Sequence, residues 1–422
     1  MISRRTFVNT VGAGLVTTSV AAADQPPARR RKMAVVTTEW RDRSHAWHMA
    51  ERFLHGFPLQ GKWHRSPFDV VSAYVDQTPK NELSRQRAQE FGFRIYPTIA
   101  EALRCGGDKL AVDAVLIIGE HGNYPLNKFG QKQYPRYEFF RQVVEVFRKD
   151  GRTTPVFNDK HLSWNWDWAK EMVDTSRKLD FALFAGSSLP VTWRMPAHDL
   201  PHGAEVDEVL CVAMGGVDSY DFHALETIQC MVERRRGGER GVAWLQALRG
   251  DAVWKAIAAG SWRTGGFDPA LLEACLSRSH TLAQPPTFSH RYPTARQMRE
   301  WVKDPVAYRF EYADGLKATM LLMNGLVGDF TFAAKLKGQA EPHSTLFYLP
   351  PNPNVVYSAA LMSKVEETFL TGRTPYPIER TLLTTGLVAA GMQSLASGQK
   401  RLETPHLAIR YAPRRESTFW QS

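Results

Sequence analysis

A lysine at the end of an apolar run is the side chain here with the most chemical reach. Pro155 to Lys160 reads Pro-Val-Phe-Asn-Asp-Lys, the pattern of a buried strand that delivers Asp159 and Lys160 to the rim of a sheet. An ammonium group in that place can polarise a hydroxyl or a carbonyl. An isolated Asp-Lys is more often a solvated pair closing a strand; this one is set apart by its position, fifth in a series of strand and helix units. A second constellation combines carboxylates with imidazoles. Asp218, Asp221 and His223 share one expected loop, while Glu120, His121 and Asp159 fall at strand ends. These are ligand types for a divalent metal that would activate water or hold a pair of hydroxyls. No tight zinc-type spacing accompanies them, and acid-histidine loops are common without a metal.

The elements that must position these groups alternate along the chain. Strands are expected at 33–38, 69–75, 94–96, 114–118, 155–160 and 181–185, each an apolar or β-branched run. Between them, Ser44 caps a helix carrying Trp47, Met49, Ala50, Phe53 and Leu54, and further helices are expected through Phe91, over 98–103, 136–150 and 164–178. This alternation predicts an α/β fold whose N-terminal part, 33–190, is a Rossmann-like, doubly wound parallel sheet. Ligands of such sheets sit at the carboxyl ends of the strands. Glu39, Asp76, His121 and Asn158 stand there, with Ser44 at the first helix start, and are the expected cofactor-binding residues. Beyond Pro190 the pattern changes to strands at 209–214, 308–312, 317–323 and 329–334, with helices at 225–235, 360–370 and 381–396. That predicts a C-terminal α+β domain, 191–422, built on a largely antiparallel sheet. Trp164, Trp166 and Trp168 are spaced by two, which spreads them round a helix, and are expected to pack between domains.

The chain has 422 residues, 43% of them hydrophobic, enough to bury two cores. Its net charge of +10 is dispersed, and no nucleic-acid motif accompanies it, so no nucleic-acid partner is expected. Cys105, Cys211, Cys230 and Cys275 form no C-x-x-C pair and read as small apolar residues. The N-terminus is distinctive. Ser3-Arg4-Arg5-Thr6-Phe7-Val8, a short apolar run and Ala21-Ala22-Ala23 resemble a twin-arginine export signal over 1–23. The apolar run is too short to span a bilayer. A flexible linker follows at 24–32. Export to the periplasm, with the twin-arginine machinery as a partner, is the expectation.

Taken in order, these residues resemble the Gfo/Idh/MocA oxidoreductases, the family of glucose-fructose oxidoreductase and inositol dehydrogenase. The likeness runs from about Met33 to about Gly398. It is carried by Arg87-Ala88-Gln89-Glu90-Phe91-Gly92, Tyr96, Glu101-Ala102-Leu103 and Asp113-Ala114-Val115-Leu116-Ile117. Asn158-Asp159-Lys160-His161 stands in place of the family's Glu-Lys-Pro, keeping the lysine and losing the proline. Gly215 to Glu226 corresponds to the family's D-x-x-x-H stretch, with His223 as the histidine, and Gly372-Arg373-Thr374-Pro375 is like its closing segment. The resemblance implies NAD or NADP as cofactor, a carbohydrate substrate, Lys160 and His223 as catalytic residues, and a homo-oligomer. Asp76 would then meet the adenosine ribose, and Asp218, Tyr220 and Asp221 the substrate. In such a site His223 would take a hydroxyl proton while Lys160 polarises the same group. One feature departs from the family. The turn after the first strand, Thr38-Glu39-Trp40-Arg41-Asp42-Arg43-Ser44, lacks the glycines that let a backbone approach a pyrophosphate, and its glutamate and tryptophan are expected to crowd a diphosphate. A metal-assisted lyase, isomerase or hydrolase on the same scaffold, or a silent sugar-binding protein, are the alternatives.

Overall fold

The computed structural model describes residues 29–286, 290–350 and 356–421; the expected export signal at 1–23 lies outside the described residues. Structure begins at the first strand, Arg31–Thr37. Met33, Ala34, Val35 and Val36 are fully buried, as are Ala114 to Ile118 in the strand paired beside them. Strands apolar on both faces need helices on both faces, and this is what forms. The sheet order is Arg94–Ile95, Phe68–Val75, Arg31–Thr37, Ala114–Ile118, Val156–Asp159, Leu183–Gly186, all parallel. Helix ends follow local chemistry. The Ser44 side chain accepts from the Trp47 N–H and opens His45–His55, and Gly92, at φ +74°, closes Ser84–Phe91. A small hairpin, Phe57–Leu59 with Lys62–His64, intervenes before the second strand; its few residues carry too short a pattern to be read in advance.

The second sheet has eight strands. Val206–Ala213 and Lys317–Leu322 pair in parallel; every other pairing is antiparallel. The α/β plus α+β architecture expected from the sequence is therefore present. The sequence reading passed over the strand Val242–Arg249 and the helices Asp251–Ala259, Pro269–Arg278 and Ala295–Trp301, which cover one face of this sheet. Its other face packs against Tyr220–Val232 and Ile378–Ala396. Tyr220–Val232 corrects the expectation of a helix from Leu225. Asp221 Oδ1 accepts from the Ser219 and Phe222 N–H groups at 2.9 and 2.8 Å, satisfying the start of the helix, so Asp221 and His223 ride its first turn rather than a loop.

Two late helices tie the halves together. Tyr357–Thr371 returns to the first sheet, where Phe369 packs near Phe53 and Phe68, and Arg52 Nε donates to Ser358 Oγ at 2.8 Å. Ile378–Ala396 places Leu382 in the first core and Leu383 and Leu387 in the second. Trp166 reaches both cores, as expected, and lies so close to Gly386 that a Cβ there would sit 2.7 Å from its ring. Trp164 and Trp168 instead pack on each other, with Trp168 stacked on Tyr137.

Candidate functional site

A cavity of about 610 Å³ opens between the carboxyl edge of the parallel sheet and the start of the Tyr220–Val232 helix. His45 and His48 enter it from the first helix, His121 and Asp159 from the ends of the fourth and fifth strands, and Tyr220 and His223 from the second domain. Phe330 and Leu346 to Pro350 supply an apolar wall.

Behind this lining lies a buried charge network. The fifth strand ends in Lys160, at φ +61°, whose N–H donates to the Gly186 carbonyl. This holds the side chain inward, 3% exposed, with Nζ 3.1 Å from Glu120 Oε1 and 3.4 Å from Ser219 Oγ. The other Glu120 oxygen takes the Arg136 guanidinium. Arg136 is fully buried and donates to His161 Nε2 at 3.1 Å. Burial pushes the Glu120 carboxyl up, but Lys160 and Arg136 outweigh it and hold the group well below the usual carboxylate range. Lys160 and Arg136 thus set two cations against the Glu120 carboxylate.

The imidazoles are arranged differently. His45 Nδ1 lies 2.6 Å from Asp159 Oδ2, and the Asp159 side chain is fully buried. The His121 and His48 rings are centred 5.1 and 6.0 Å from that of His45. Burial, then His45, lowers His121 to about 4 and His48 to about 3. His223 is held well below its ordinary value by burial, then by Lys160 and His45. Among the described residues, His48 Nδ1, His121 Nε2, His223 Nδ1 and Asp159 Oδ1 have no hydrogen-bond partner. Buried polar atoms are nearly always paired, so four orphans on the lining of one cavity mark a place built for a polar guest.

Of the residues singled out in the sequence, His121, Asp159, Tyr220 and His223 line the cavity, and Lys160 lies just behind it. Glu39 pairs with Arg41 at 2.6 Å, and Trp40 is fully buried, stacked on Phe93. The expectation that these two side chains would crowd a diphosphate is thus corrected: both turn into the protein. The Ser44 hydroxyl is committed to capping. Asp76 is exposed and accepts from the Tyr74 and Tyr124 hydroxyls at 2.8 and 2.6 Å. Asn158 is fully buried, its Nδ2 donating to the Asp159 and His161 carbonyls. Asp218 accepts from the Lys132 N–H at 2.6 Å, and Asp221 from the Tyr308 hydroxyl at 2.9 Å. With these carboxylates so engaged, the metal alternative loses its donors, and among the described residues no group of three or more His, Cys, Asp or Glu is placed to hold a metal ion. Sequence reasoning missed His45, His48, Arg136 and Ser219. Only Ser219 left a signal, standing one helical turn before His223.

One carboxyl beside the site makes stability depend on pH. Glu226 is fully buried, accepting from Thr384 Oγ1 at 2.9 Å, and burial raises it from 4.5 to about 7 against the pull of Arg380. Burial likewise lifts Asp218 to about 7. A folded-state pKa above the unfolded one disfavours the ionised form in the fold, so the associated stability is complete below about 4.5 and is lost as pH rises through about 7. The lowered histidines add stability as pH rises to about 6.5, so the melting temperature is expected to fall from about pH 6.5 to pH 8, and Glu226→Gln to flatten that slope. An unchanged slope in calorimetry would rule Glu226 out as a source.

No family profile matches the sequence, and no curated protein matches it. Solved structures do match in fold. GenD2 from gentamicin A biosynthesis, in complex with NAD, is 14% identical with a TM-score of 0.53, covering 90% of this chain and 97% of that one. The myo-inositol dehydrogenase of Lactobacillus casei, in complex with NAD(H) and myo-inositol, is 12% identical with a TM-score of 0.51, over 92% and 99%. The apo scyllo-inositol dehydrogenase of Lactobacillus casei is 9% identical with a TM-score of 0.52, over 89% and 98%. What is shared at such identities is the two-domain architecture.

Proposed function

We propose that the chain is an NAD(P)-dependent oxidoreductase of the Gfo/Idh/MocA type, moving a hydride between the nicotinamide and a hydroxyl-bearing carbon of a sugar or sugar derivative. The observation that carries this reading is the approach of a buried ammonium, Lys160, and an uncharged imidazole, His223, to one cavity at the carboxyl edge of a parallel sheet. The fold, shared with proteins solved with NAD and with myo-inositol, agrees with it.

The residues present fit the nicotinamide end of such a cofactor. The orphaned His48 Nδ1 and His121 Nε2 offer hydrogen bonds in the cavity, and Arg43 and the start of the His45–His55 helix supply positive potential where a diphosphate would lie. The cradle is made of side chains and a helix terminus in place of glycine backbone. Nicotinamide, when bound, supplies a two-electron acceptor. The chain's own work is the rest. Lys160 lowers the cost of negative charge on the substrate oxygen. His223, kept neutral by burial and by Lys160, is free to accept a proton. Tyr220 offers a hydroxyl at the cavity wall. The reading extends to export, on the strength of the Arg4-Arg5 leader.

The test is native mass spectrometry for bound nucleotide, together with absorbance at the reduced-nicotinamide band using NAD or NADP and a panel of myo-inositol, scyllo-inositol, glucose and galactose. Nucleotide binding with polyol-dependent reduction is the expected result. Failure of both overturns the reading. A second reading is an acid–base enzyme without a dinucleotide, favoured by the His45–Asp159 bridge, which spans from the first helix to the fifth strand where a dinucleotide would otherwise lie. Turnover without nucleotide would select it.

A further inference from the structure

We infer that the substrate is glycoside-like, a hydroxyl-bearing ring that carries an aryl or alkyl group beside the reacting carbon, in preference to a bare polyol. This rests on the cavity being the active site proposed above and names the class of molecule it takes. The two halves of the cavity differ in chemistry. The parallel-sheet half offers the unpartnered polar atoms His48 Nδ1, His121 Nε2 and Asp159 Oδ1, and His223 Nδ1 joins them from the first turn of the Tyr220–Val232 helix. The rest of the second-domain wall is aliphatic and aromatic. Leu189 comes from the turn Leu189–Val191, Met214 follows the strand Val206–Ala213, Phe330 opens Phe330–Leu336, and Tyr348 and Leu349 stand at the end of His343–Tyr348. With nicotinamide set against His48 and His121, this wall is left to the substrate.

The polar groups along that wall are engaged with their own loops. Asp329 accepts from the Ser279 hydroxyl at 2.9 Å and from the His280 and Thr281 N–H groups at 2.8 and 3.2 Å. The Thr281 hydroxyl accepts from the Gly328 N–H at 2.7 Å, and the Tyr348 carbonyl from the Thr192 hydroxyl at 2.6 Å. A polyol with a hydroxyl on every carbon would press some of them against Leu189, Met214 and Phe330, where the hydrogen bonds they make to water find no replacement. An apolar substituent avoids this loss and takes apolar surface out of water on both partners. The wall also adjoins the reacting centre. The Phe330 ring is centred 6.2 Å from that of His223 and 6.4 Å from that of Tyr220, nearly parallel to the tyrosine. The substituent therefore sits on or next to the carbon that bears the reacting hydroxyl. One aromatic ring is enough to receive the C–H face of an unsubstituted sugar, but here Leu189, Met214 and Leu349 extend the wall from separate elements. Leu189 and Phe330, 2% and 1% exposed, belong to the second core, so the wall stands without a ligand to shape it.

Binding decides it, with no need for turnover. Methyl and phenyl glucosides and galactosides are titrated calorimetrically against the full chain, with and without saturating NAD. The phenyl glycoside is expected to bind about thirtyfold more tightly than its methyl counterpart, the scale of one buried aromatic ring, with a negative heat-capacity change. Met214→Gln and Leu349→Gln, each checked by a melting curve, should cut that ratio by about fivefold or more, since each sets an amide against the ring. Equal affinities for phenyl and methyl glycosides, or a ratio untouched by both folded variants, overturn the inference. A second measurement is independent of the sugar. In protein with isotope-labelled methionine methyl groups, benzyl alcohol should shift the Met214 resonance, identified by its loss in Met214→Leu, at concentrations where myo-inositol leaves it in place. No shift with benzyl alcohol, or an equal shift with myo-inositol, overturns the inference even where no glycoside binds. A protein that shows these preferences but neither binds nor reduces a nucleotide fails the oxidoreductase reading and keeps the substrate class. One that reduces a nucleotide without them does the reverse.

Discussion

Replacement of Lys160 by methionine is expected to lower kcat by about two to three orders of magnitude while leaving the fold intact. Removing one preorganised donor to a developing oxyanion costs ~3 kcal/mol of transition-state stabilisation. The ammonium is the donor best placed for that role, since it is held 3.1 Å from Glu120 and 3.4 Å from Ser219 with almost no exposure to solvent. The fold should survive because Glu120 keeps its second partner, Arg136, and methionine fills much of the lysine stem. The measurement is a steady-state comparison of kcat and KM with a melting curve alongside. Turnover within about tenfold of wild type in a protein of normal stability would remove Lys160 from the chemistry.

The opposite balance is expected at Glu120. Glu120→Gln leaves Arg136, fully buried, and Lys160, 3% exposed, facing each other across a neutral amide. Breaking a buried ion pair from one side typically costs about 3–5 kcal/mol, because the stranded charge has no water to return to. Here two cations are stranded, so the urea midpoint should drop steeply, and Arg136 would press on His161 at 3.1 Å. Adding Lys160→Met in the same chain should restore part of the loss by removing one unpaired charge, and a double-mutant cycle measures that coupling. Additive effects of the two substitutions would mean that Glu120 and Lys160 do not form one electrostatic unit.

The parallel sheet was legible because its strands are apolar on both faces and end in helix starts and glycines with plain local signals, such as Ser44 and Gly92. Lys160 was legible for the same reason: only a strand end accounts for a charge after Val156-Phe157. The rest of the site was hidden by chemistry that depends on distance through space. Arg136 opens an amphipathic helix and reads as a solvated residue; its burial follows from Glu120, sixteen positions earlier, curling back to meet it. His45 reads as one residue of a polar turn, and nothing local announces Asp159 across the sheet. Trp40 was expected to obstruct the cavity because its bulk is visible in the sequence and its direction is not. The second domain was partly legible, since Val242–Arg249 follows an arginine- and glycine-rich turn that masks its start, and three short helices have little apolar periodicity to reveal them.

The return of Tyr357–Thr371 to the first sheet has a consequence for how this protein is made. Its Ala360, Leu361, Val365 and Phe369 belong to the same core as Met33, Val35 and Phe53, so the parallel-sheet domain is missing part of its interior until the residues through Phe369 have been synthesised. Translation at roughly 5–20 residues per second leaves that apolar surface open for many seconds. During that interval the nascent first domain is a client for whatever holds unfinished chains apart, and a ribosome stalled before Tyr357 would carry a sheet that has formed but cannot close.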